Sequence, residues 1–208
     1  TVMEEGKHII QTGAIQAKVD ELTAQGKKVY WPRRESNIDL DVIAYVEVGV
    51  EIARQCQAQN IAPEYLYLAA LDTTQAGVAL GLTYLESPIT VRGFCPLPNI
   101  DDRHQDMANL ANQAARRLGL DTELSATDFD NDDTFVGEGY GLPSPEGLNA
   151  LRTLARTEGI LLDPVYTSKA LAGLLAHASD GRLDGEAIFL HTGGNPALFA
   201  FAKDVLAE

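Results

Sequence analysis

The stretch GEGYGLPSPEGLNALRTLARTEGILLDPVYTSKALAGLL, residues 137–175, decides the fold of this 208-residue chain. It contains a tyrosine between two glycines, Tyr140, and then a helix pattern with Pro145 at the first helical position. Gly159 is expected to end that helix. The next Asp-Pro pair holds the chain extended, so Tyr166 is predicted to lie at the start of a further helix. The stretch therefore presents two tyrosines on short, rigid turns.

Strand and helix patterns alternate along the rest of the chain. Residues 65–71 form a near-continuous apolar run, which is typical of a strand buried on both faces of a parallel sheet. The alternation predicts an α/β fold, a twisted parallel sheet with helices on both faces. Ligands bind such sheets at the carboxyl ends of strands, where the turns 72–77 and 191–194 are expected. The other predicted strands are residues 28–32, 89–94 and 187–190, and the other predicted helices are residues 39–57, 78–85, 100–118, 168–175 and 195–206.

The charge of the chain argues against two classes of partner. The formal net charge is −14, and no basic cluster offsets it. Nucleic acid and anionic membranes would repel such a chain, so neither is expected as a partner. No apolar run is long enough to span a bilayer and no signal-peptide pattern opens the chain, so we expect a cytoplasmic location. Cys56 and Cys95 lack metal-ligand spacing and are expected to be reduced thiols.

The longest charged run, residues 121–133, contains six carboxylates. A calcium loop of the EF-hand type would need regular ligand spacing, a glycine and a closing glutamate, which this run lacks. We therefore predict a solvated loop here and expect no metal site.

Three motifs carry a resemblance to a known family: GEGYGLP at 137–143, ARTEGILLDPVYT at 155–167 and HTGG at 191–194. Together they resemble the D-cysteine desulfhydrase and 1-aminocyclopropane-1-carboxylate (ACC) deaminase family of fold-type II pyridoxal-phosphate enzymes, which are similar to tryptophan synthase β. The resemblance implies pyridoxal 5'-phosphate as cofactor and a small amino acid as substrate. It also implies that the chain is the large-domain portion of the tryptophan synthase β-like fold.

The resemblance covers the carboxyl-terminal two-thirds of the family's chains. The front third, which carries the lysine that forms the Schiff base to the cofactor, has no counterpart here. Residues 1–27 are then a helical segment left over from the small-domain or linker region, and residues 28–208 are the α/β domain that cradles the cofactor. Thr1 in place of methionine suggests processing or a fragment. We expect a complementing chain that carries the lysine, or a homo-oligomer that covers the exposed apolar surface.

The resemblance also implies site residues. Tyr140 and Tyr166 match the family's two active-site tyrosines, although a tyrosine in a glycine-rich turn is more often a packing residue with a satisfied hydroxyl. Lys169 matches an additional lysine of the family, with a structural role, and is not expected to be the Schiff-base lysine. The implied cofactor-binding residues are Thr73, Thr74, Gln75, Ala76 and Gly77 at the phosphate, with Thr167, Thr192 and Gly193 at the pyridine ring.

Asp72 stands where the family's phosphate-binding loop has glycine or serine. A carboxylate about 4 Å from a phosphate charge costs about 4 kcal/mol at an effective dielectric near 20, unless it is turned away or paired. The alternative is that Asp72 and Thr73 only cap a helix. Upstream, the family's glycines are replaced by Arg33 and Arg34, which are either a replacement anion contact or an exposed basic turn.

Two functions from different classes follow. The first is a pyridoxal-phosphate-dependent lyase or deaminase, either D-cysteine desulfhydrase-like, with β-elimination to pyruvate and ammonia, or ACC deaminase-like. Threonine at positions 167 and 192 resembles the desulfhydrases. The second is a truncated, non-catalytic relative that has lost the cofactor and serves as a binding or interaction domain. A nucleotide-binding Rossmann domain is disfavoured because no G-x-G-x-x-G follows a predicted strand.

Overall fold

The computed structural model describes residues 12–31 and 37–207. The chain divides into two compact units, Thr1–Glu35 and Ser36–Glu208. In the first unit, helix α1 (Thr12–Ala24) confirms part of the helix predicted near the start of the chain. Residues 27–31 have no regular secondary structure, so the strand predicted to begin at residue 28 is wrong. Its last residue and the Arg33–Arg34 turn lie outside the described residues, and the predicted domain boundary after residue 27 stays a prediction.

The second unit is a parallel sheet with helices between its strands. Its strands pair in the order β3-β2-β1-β4, and every pairing is parallel. The elements in chain order are α2 (Asp39–Gln59), β1 (Tyr65–Ala69), α3 (Thr73–Tyr84), β2 (Thr90–Phe94), α4 (Arg103–Leu118), β3 (Asp130–Asp132), α5 (Pro145–Glu158), α6 (Thr167–Ser179), β4 (Ala187–Leu190) and α7 (Ala202–Leu206).

Successive side chains of β1 enter cores on opposite faces of the sheet. Leu66 and Leu68 pack in a cluster with α2, α3 and α4. Tyr67 and Ala69 pack on the other face, against Phe94 of β2 and Ala170 of α6. Since every second residue of a strand points the same way, a strand buried on both faces must be apolar throughout. The predicted parallel α/β sheet with helices on both faces is confirmed.

Glycines bring α2 and α3 unusually close together. A Cβ atom on Gly81 would overlap the carbonyl oxygen of Val46, and one on Gly77 would overlap that of Val42. On the facing helix, a Cβ on Gly49 would lie 2.5 Å from the Val78 carbonyl oxygen. All these opposing atoms are backbone, so a side chain could be accommodated only by moving a helix. Gly77 therefore serves helix packing rather than close approach to a ligand.

Gly81→Val is expected to destabilise the second unit by about 2 kcal/mol or more, because overpacking at a backbone contact displaces a whole helix. Urea unfolding followed by circular dichroism measures the loss. Gly13→Ala is the matched control, since Gly13 is also helical but a Cβ added there would meet nothing within 4 Å. Equal stability of Gly81→Val and the unchanged chain would contradict the close helix contact.

Several elements of the second unit differ from the sequence-based expectation, and the predicted helix 195–206 is a 3₁₀ helix at Asn195–Phe201 followed by α7. Helix α3 begins at Thr73 rather than at residue 78, so most of the predicted turn 72–77 is the first turn of a helix. The acidic run is not wholly a loop, since Asp130–Asp132 forms edge strand β3. The side chain of Gln75 ties these elements together: its Nε2 donates to Asp130 O at 2.8 Å, and its Oε1 accepts from Asn131 Nδ2 at 2.7 Å.

Candidate active site

The strand order of the sheet reverses between β1 and β4. From β1 the chain passes through α3 to β2 on one side, whereas β4 pairs with the other side of β1. Such a switch point opens a crevice at the carboxyl ends of the two strands, where ligands bind in open α/β sheets. Here that edge carries the start of α3, after β1, and the turn 191–194, after β4.

The two predicted tyrosines contact each other. The hydroxyls of Tyr140 and Tyr166 share a short hydrogen bond, and their ring centroids lie 6.0 Å apart at an interplanar angle of 67°. Each residue is 36% exposed, so the pair faces solvent while its hydroxyls are joined. Burial, and secondly the hydrogen bond to Tyr140, raises the pKa of Tyr166 well above its ordinary value. The phenol of Tyr166 is therefore a weaker acid than an ordinary tyrosine, and at neutral pH it is a neutral hydroxyl that can donate or accept a hydrogen bond.

Asp163 fixes the backbone that carries Tyr166. Its carboxylate is fully buried and accepts from the backbone N–H groups of Val165 at 2.9 Å and of Tyr166 and Thr167 at 2.8 Å each. It also accepts from the Thr167 hydroxyl at 2.7 Å. The donors at the start of α6 are thus satisfied by one side chain. The hydroxyl of Thr167 donates to the Asp163 carboxylate and accepts from Asp163 N at 3.0 Å, so towards a ligand only its one remaining acceptor site is left.

The turn after β4 packs directly on this cap. Gly194 has a φ of +88°, and a Cβ there would lie 2.6 Å from Asp163 Cγ, so glycine is required on both counts. His191 accepts from Gly193 N at Nδ1, 3.1 Å away, which leaves its Nε2–H to donate to Leu161 O at 2.9 Å. Gly194 and His191 thereby join the glycine turn to the segment that ends in Tyr166 and Thr167. Thr192 is half-buried in this turn.

Lys169 holds the loop that carries Tyr140. Its side chain is 2% exposed, and its Nζ donates to Val136 O at 2.7 Å and to Gly139 O at 3.3 Å. Burial lowers the pKa of this ammonium group, while the carboxylate of Asp163 acts in the opposite direction. These contacts agree with the structural role expected for Lys169. Its burial was missed, because lysine is rarely buried and its acceptors are backbone carbonyls that no side-chain pattern shows.

The five predicted phosphate-binding residues differ in position: three are directed towards the protein interior, and two lie at the start of α3. The side chain of Gln75 faces β2 and β3, and Ala76 lies in the core. Gly77 faces α2, so none of these three offers a side chain to a ligand. Thr73 and Thr74 stand at the open end of the helix, where backbone N–H groups and the helix dipole favour an anion. Phosphate binding here stays a prediction, and it depends on the backbone of these residues.

A cavity lies elsewhere on the sheet, beside β2 and β3 on the face that α6 covers. Both arginines that line it are paired: Arg92 Nε lies 3.3 Å from Asp130 in the lining, and Arg182 lies 2.6 Å from Asp180 outside it. None of the predicted site residues lines it. Within residues 12–31 and 37–207, no group of three or more His, Cys, Asp or Glu side chains is placed to hold a metal ion. No helix in that part of the chain is long and apolar enough to cross a membrane.

A parallel sheet with helices on both faces, and with a glycine turn and a helix start at its switch point, defines a class, the open α/β proteins, in which ligands bind at that position. The particular family follows from comparison with known proteins. Residues 3–193 match the family model described as "Pyridoxal-phosphate dependent enzyme". The chain belongs to this family, and the resemblance drawn from the three motifs is confirmed at that level.

Solved structures agree with this assignment. An ACC deaminase homologue is 28% identical and superposes with a TM-score of 0.83 over 99% of this chain and 62% of its own length. The threonine deaminase of T.th. shares the fold at 18% identity, with a TM-score of 0.54 over 93% of this chain and 63% of its own. The processed threonine deaminase isoform 2 from Solanum lycopersicum does so at 15% identity and a TM-score of 0.54, over 90% and 54%. The chain therefore spans less than two-thirds of these relatives, and its predicted tryptophan synthase β-like fold is confirmed.

The residues at the switch point fit pyridoxal phosphate, with one exception. The start of α3 has backbone N–H groups of the kind that hold a phosphate, and the partly exposed Tyr140 and Tyr166 are joined through their hydroxyls. The exception is Asp72, whose Oδ1 accepts from Thr73 N at 2.5 Å and so occupies a donor of the helix start. Of the described lysines, Lys169 is buried, and its Nζ is held by two carbonyls. These contacts provide no amine at the site for a covalent bond to the cofactor.

Proposed function

We propose that this chain is the cofactor-cradling part of a pyridoxal-phosphate-dependent lyase or deaminase that acts on a small amino acid. The observation that carries the proposal is the hydroxyl pair of Tyr140 and Tyr166 beside the glycine turn at the switch point. Two reactions are compatible with it: β-elimination from D-cysteine, which with water gives pyruvate, ammonia and hydrogen sulfide, and deamination of 1-aminocyclopropane-1-carboxylate. The 28% identity to an ACC deaminase homologue supports the general class and leaves the choice of substrate open.

The cofactor, when bound, supplies an electron sink for negative charge at the substrate's α-carbon. Tyr140 and Tyr166 are proposed to transfer protons to and from the substrate. The Tyr166 hydroxyl is proposed to donate its proton to the substrate, and the hydrogen-bonded hydroxyl of Tyr140 is proposed to donate its own proton to the Tyr166 oxygen in its place. Thr167 and Thr192 are proposed to flank the ring, and Thr73 and Thr74 to hold the phosphate through backbone N–H groups.

The proposal includes partners and a compartment. A complementing segment with the covalent lysine is proposed, because Lys169 is engaged with Val136 and Gly139. Self-association is proposed because large apolar side chains such as Phe199 are 85% exposed. The buried, unpaired thiols of Cys56 and Cys95 are in keeping with a reducing compartment, so we propose the cytoplasm.

Tyr166→Phe is expected to lower the rate of ammonia release from the preferred substrate by about 100-fold or more, the usual contribution of a positioned acid or base. The assay uses this chain together with its lysine-bearing segment and compares D-cysteine with 1-aminocyclopropane-1-carboxylate. The matched control is Tyr84→Phe, since Tyr84 is 50% exposed near the end of α3 and should keep full activity. Unchanged turnover in Tyr166→Phe would remove the tyrosine pair from the chemistry.

A specific observation also favours the non-catalytic alternative. The Asp72 carboxylate accepts from Thr73 N and places negative charge where a phosphate would bind. Titration of the chain with pyridoxal phosphate, followed by borohydride reduction and intact mass, separates the two functions. Reversible binding without a covalent adduct is expected of the cradle of an enzyme. Absence of binding both alone and with the lysine-bearing segment would leave a binding or interaction domain, and an adduct on this chain alone would place the covalent lysine within it.

A further inference from the structure

We infer that Lys169 is a positioning residue, which holds the loop carrying Tyr140 against α6 so that the hydroxyls of Tyr140 and Tyr166 stay paired. The inference deepens the proposed function, because it concerns the tyrosines to which that proposal assigns the proton transfers. It goes beyond a general structural role, since it names what Lys169 positions and how that can be measured.

The first step of the argument is geometric. Tyr166 is the residue directly before α6, and Lys169 follows three positions later, with its backbone N donating to Tyr166 O at 3.1 Å. Residues three apart on a helix lie on the same side. The Lys169 ammonium reaches Gly139 O, and Gly139 is the residue directly before Tyr140. One side chain therefore links the backbone positions of both tyrosines.

The second step concerns what else could hold the loop. Gly139 and Gly141 flank Tyr140, and a Cβ atom at either position would meet nothing within 4 Å. The loop around Tyr140 is therefore loosely packed. Gly139 O also accepts from Leu142 N at 3.4 Å, which is a bond within the same loop and does not attach it to α6. The two Lys169 bonds attach the backbone of this loop to α6, beside the hydroxyl pair of Tyr140 and Tyr166.

The third step is energetic. A buried ammonium is costly unless it is hydrogen-bonded, and here two carbonyl oxygens offset part of that cost. Lys169 is only 2% exposed, and the need to hold the Tyr140 loop explains why a lysine is buried at this position. The aliphatic part of the Lys169 side chain lies beside Gly147 in the first turn of α5, where an added Cβ would be 3.4 Å from Lys169 Cγ. Lys169 thus spans the Tyr140 loop, α5 and α6.

The test measures the titration of Tyr166 by NMR of ¹³Cζ-labelled tyrosine, in the chain without cofactor. The groups that face Tyr166 are Tyr140 and Asp163. In the unchanged chain its midpoint should lie well above the ordinary value of about 10. In Lys169→Met the freed loop carries the Tyr140 hydroxyl away from Tyr166, so the hydrogen bond that favours the neutral phenol is lost and the midpoint should fall by one pH unit or more. Loss of a nearby cation alone would act in the opposite direction, because a cation favours the phenolate.

Further variants test whether a shift of the Tyr166 midpoint arises from the pairing of Tyr140 and Tyr166. In a Tyr140→Phe background, Lys169→Met should cause no further shift, since the two changes remove the same pairing. Ser168→Ala is the matched control, because the neighbouring Ser168 is equally buried and its hydroxyl has no hydrogen-bond partner within the described structure. Lys169→Gln, whose amide ends one bond short of the carbonyls, should give the same fall as Lys169→Met and serves if the methionine variant is unfolded by circular dichroism.

An unchanged or raised Tyr166 midpoint in the folded Lys169 variants would overturn the inference, as would a shift that persists in the Tyr140→Phe background. Reduction that traps pyridoxal phosphate on Lys169 would overturn it too, because the amine would then be a covalent anchor. The titration requires neither cofactor nor turnover. Its failure is therefore distinguishable from a failure of the proposed enzymatic function, which rests on cofactor binding and ammonia release.

Discussion

Asp72→Asn is expected to bind pyridoxal phosphate about tenfold or more tightly than the unchanged chain. Two charges about 4 Å apart interact by about 4 kcal/mol at an effective dielectric near 20, and solvent at the half-buried Asp72 reduces this to roughly 1–2 kcal/mol. Asparagine keeps an oxygen that can accept from Thr73 N, so the start of α3 should survive while the negative charge is lost. Equilibrium titration of cofactor absorbance measures the change.

The affinity gain should shrink as ionic strength rises, since salt screens the repulsion that the substitution removes. Asp101→Asn is the control of equal charge change, because Asp101 is exposed and precedes α4 rather than α3. An equal gain in both variants would indicate only the effect of net charge. No gain in Asp72→Asn would show that this carboxylate is turned away from the phosphate and would weaken the case for a chain that has lost its cofactor.

Asp163→Ala is expected to destabilise the second unit by about 3 kcal/mol or more. The substitution leaves three backbone N–H groups and the Thr167 hydroxyl without their acceptor in a buried place, and each unsatisfied group costs about 1–3 kcal/mol. Gly194 packs on the same carboxylate, so the glycine turn also loses its support. Thermal and urea unfolding measure the loss.

A second variant separates the carboxylate from simple loss of volume. Asp163→Asn keeps one acceptor oxygen but turns an amide donor towards N–H groups, so we expect it to be about as harmful as alanine rather than neutral. The exposed Asp101→Ala should stay within about 0.5 kcal/mol of the unchanged chain. Stability of Asp163→Ala at the level of Asp101→Ala would mean that the start of α6 does not depend on this cap.

Much of the fold was predictable because its signals are local. The apolar run at β1, Pro145 at the start of α5 and Gly159 after its end all act through neighbours in the chain, and the structure places them as expected. Edge strand β3 was missed because Asp-Asn-Asp has low strand propensity. It is a strand through its pairing with β2, and through Gln75, which accepts from Asn131 and donates to the carbonyl of Asp130.

The site was predictable in part for the same reason. Motifs identified Tyr140, Tyr166 and the glycine turn as candidates. Residues 3–193 show the family, and the roles of these residues stay predictions. The contacts of Gln75, Ala76 and Gly77 were not predictable. Their side chains are used for sheet cross-linking and helix packing, and these uses depend on partners that are distant in the sequence.

By itself, then, the sequence determined the alternation of strands and helices, the caps of α5 and the glycine-flanked turns, since each is set by a few adjacent residues. Only the tertiary structure decided that Tyr140 and Tyr166 share a hydrogen bond and that Lys169 is buried beneath the Tyr140 loop. Those contacts join residues 26 and 30 to 33 positions apart. Their physical cause is tertiary packing: α5 packs against α6, and α6 packs against the sheet. This packing brings the Tyr140 loop, which precedes α5, next to the start of α6.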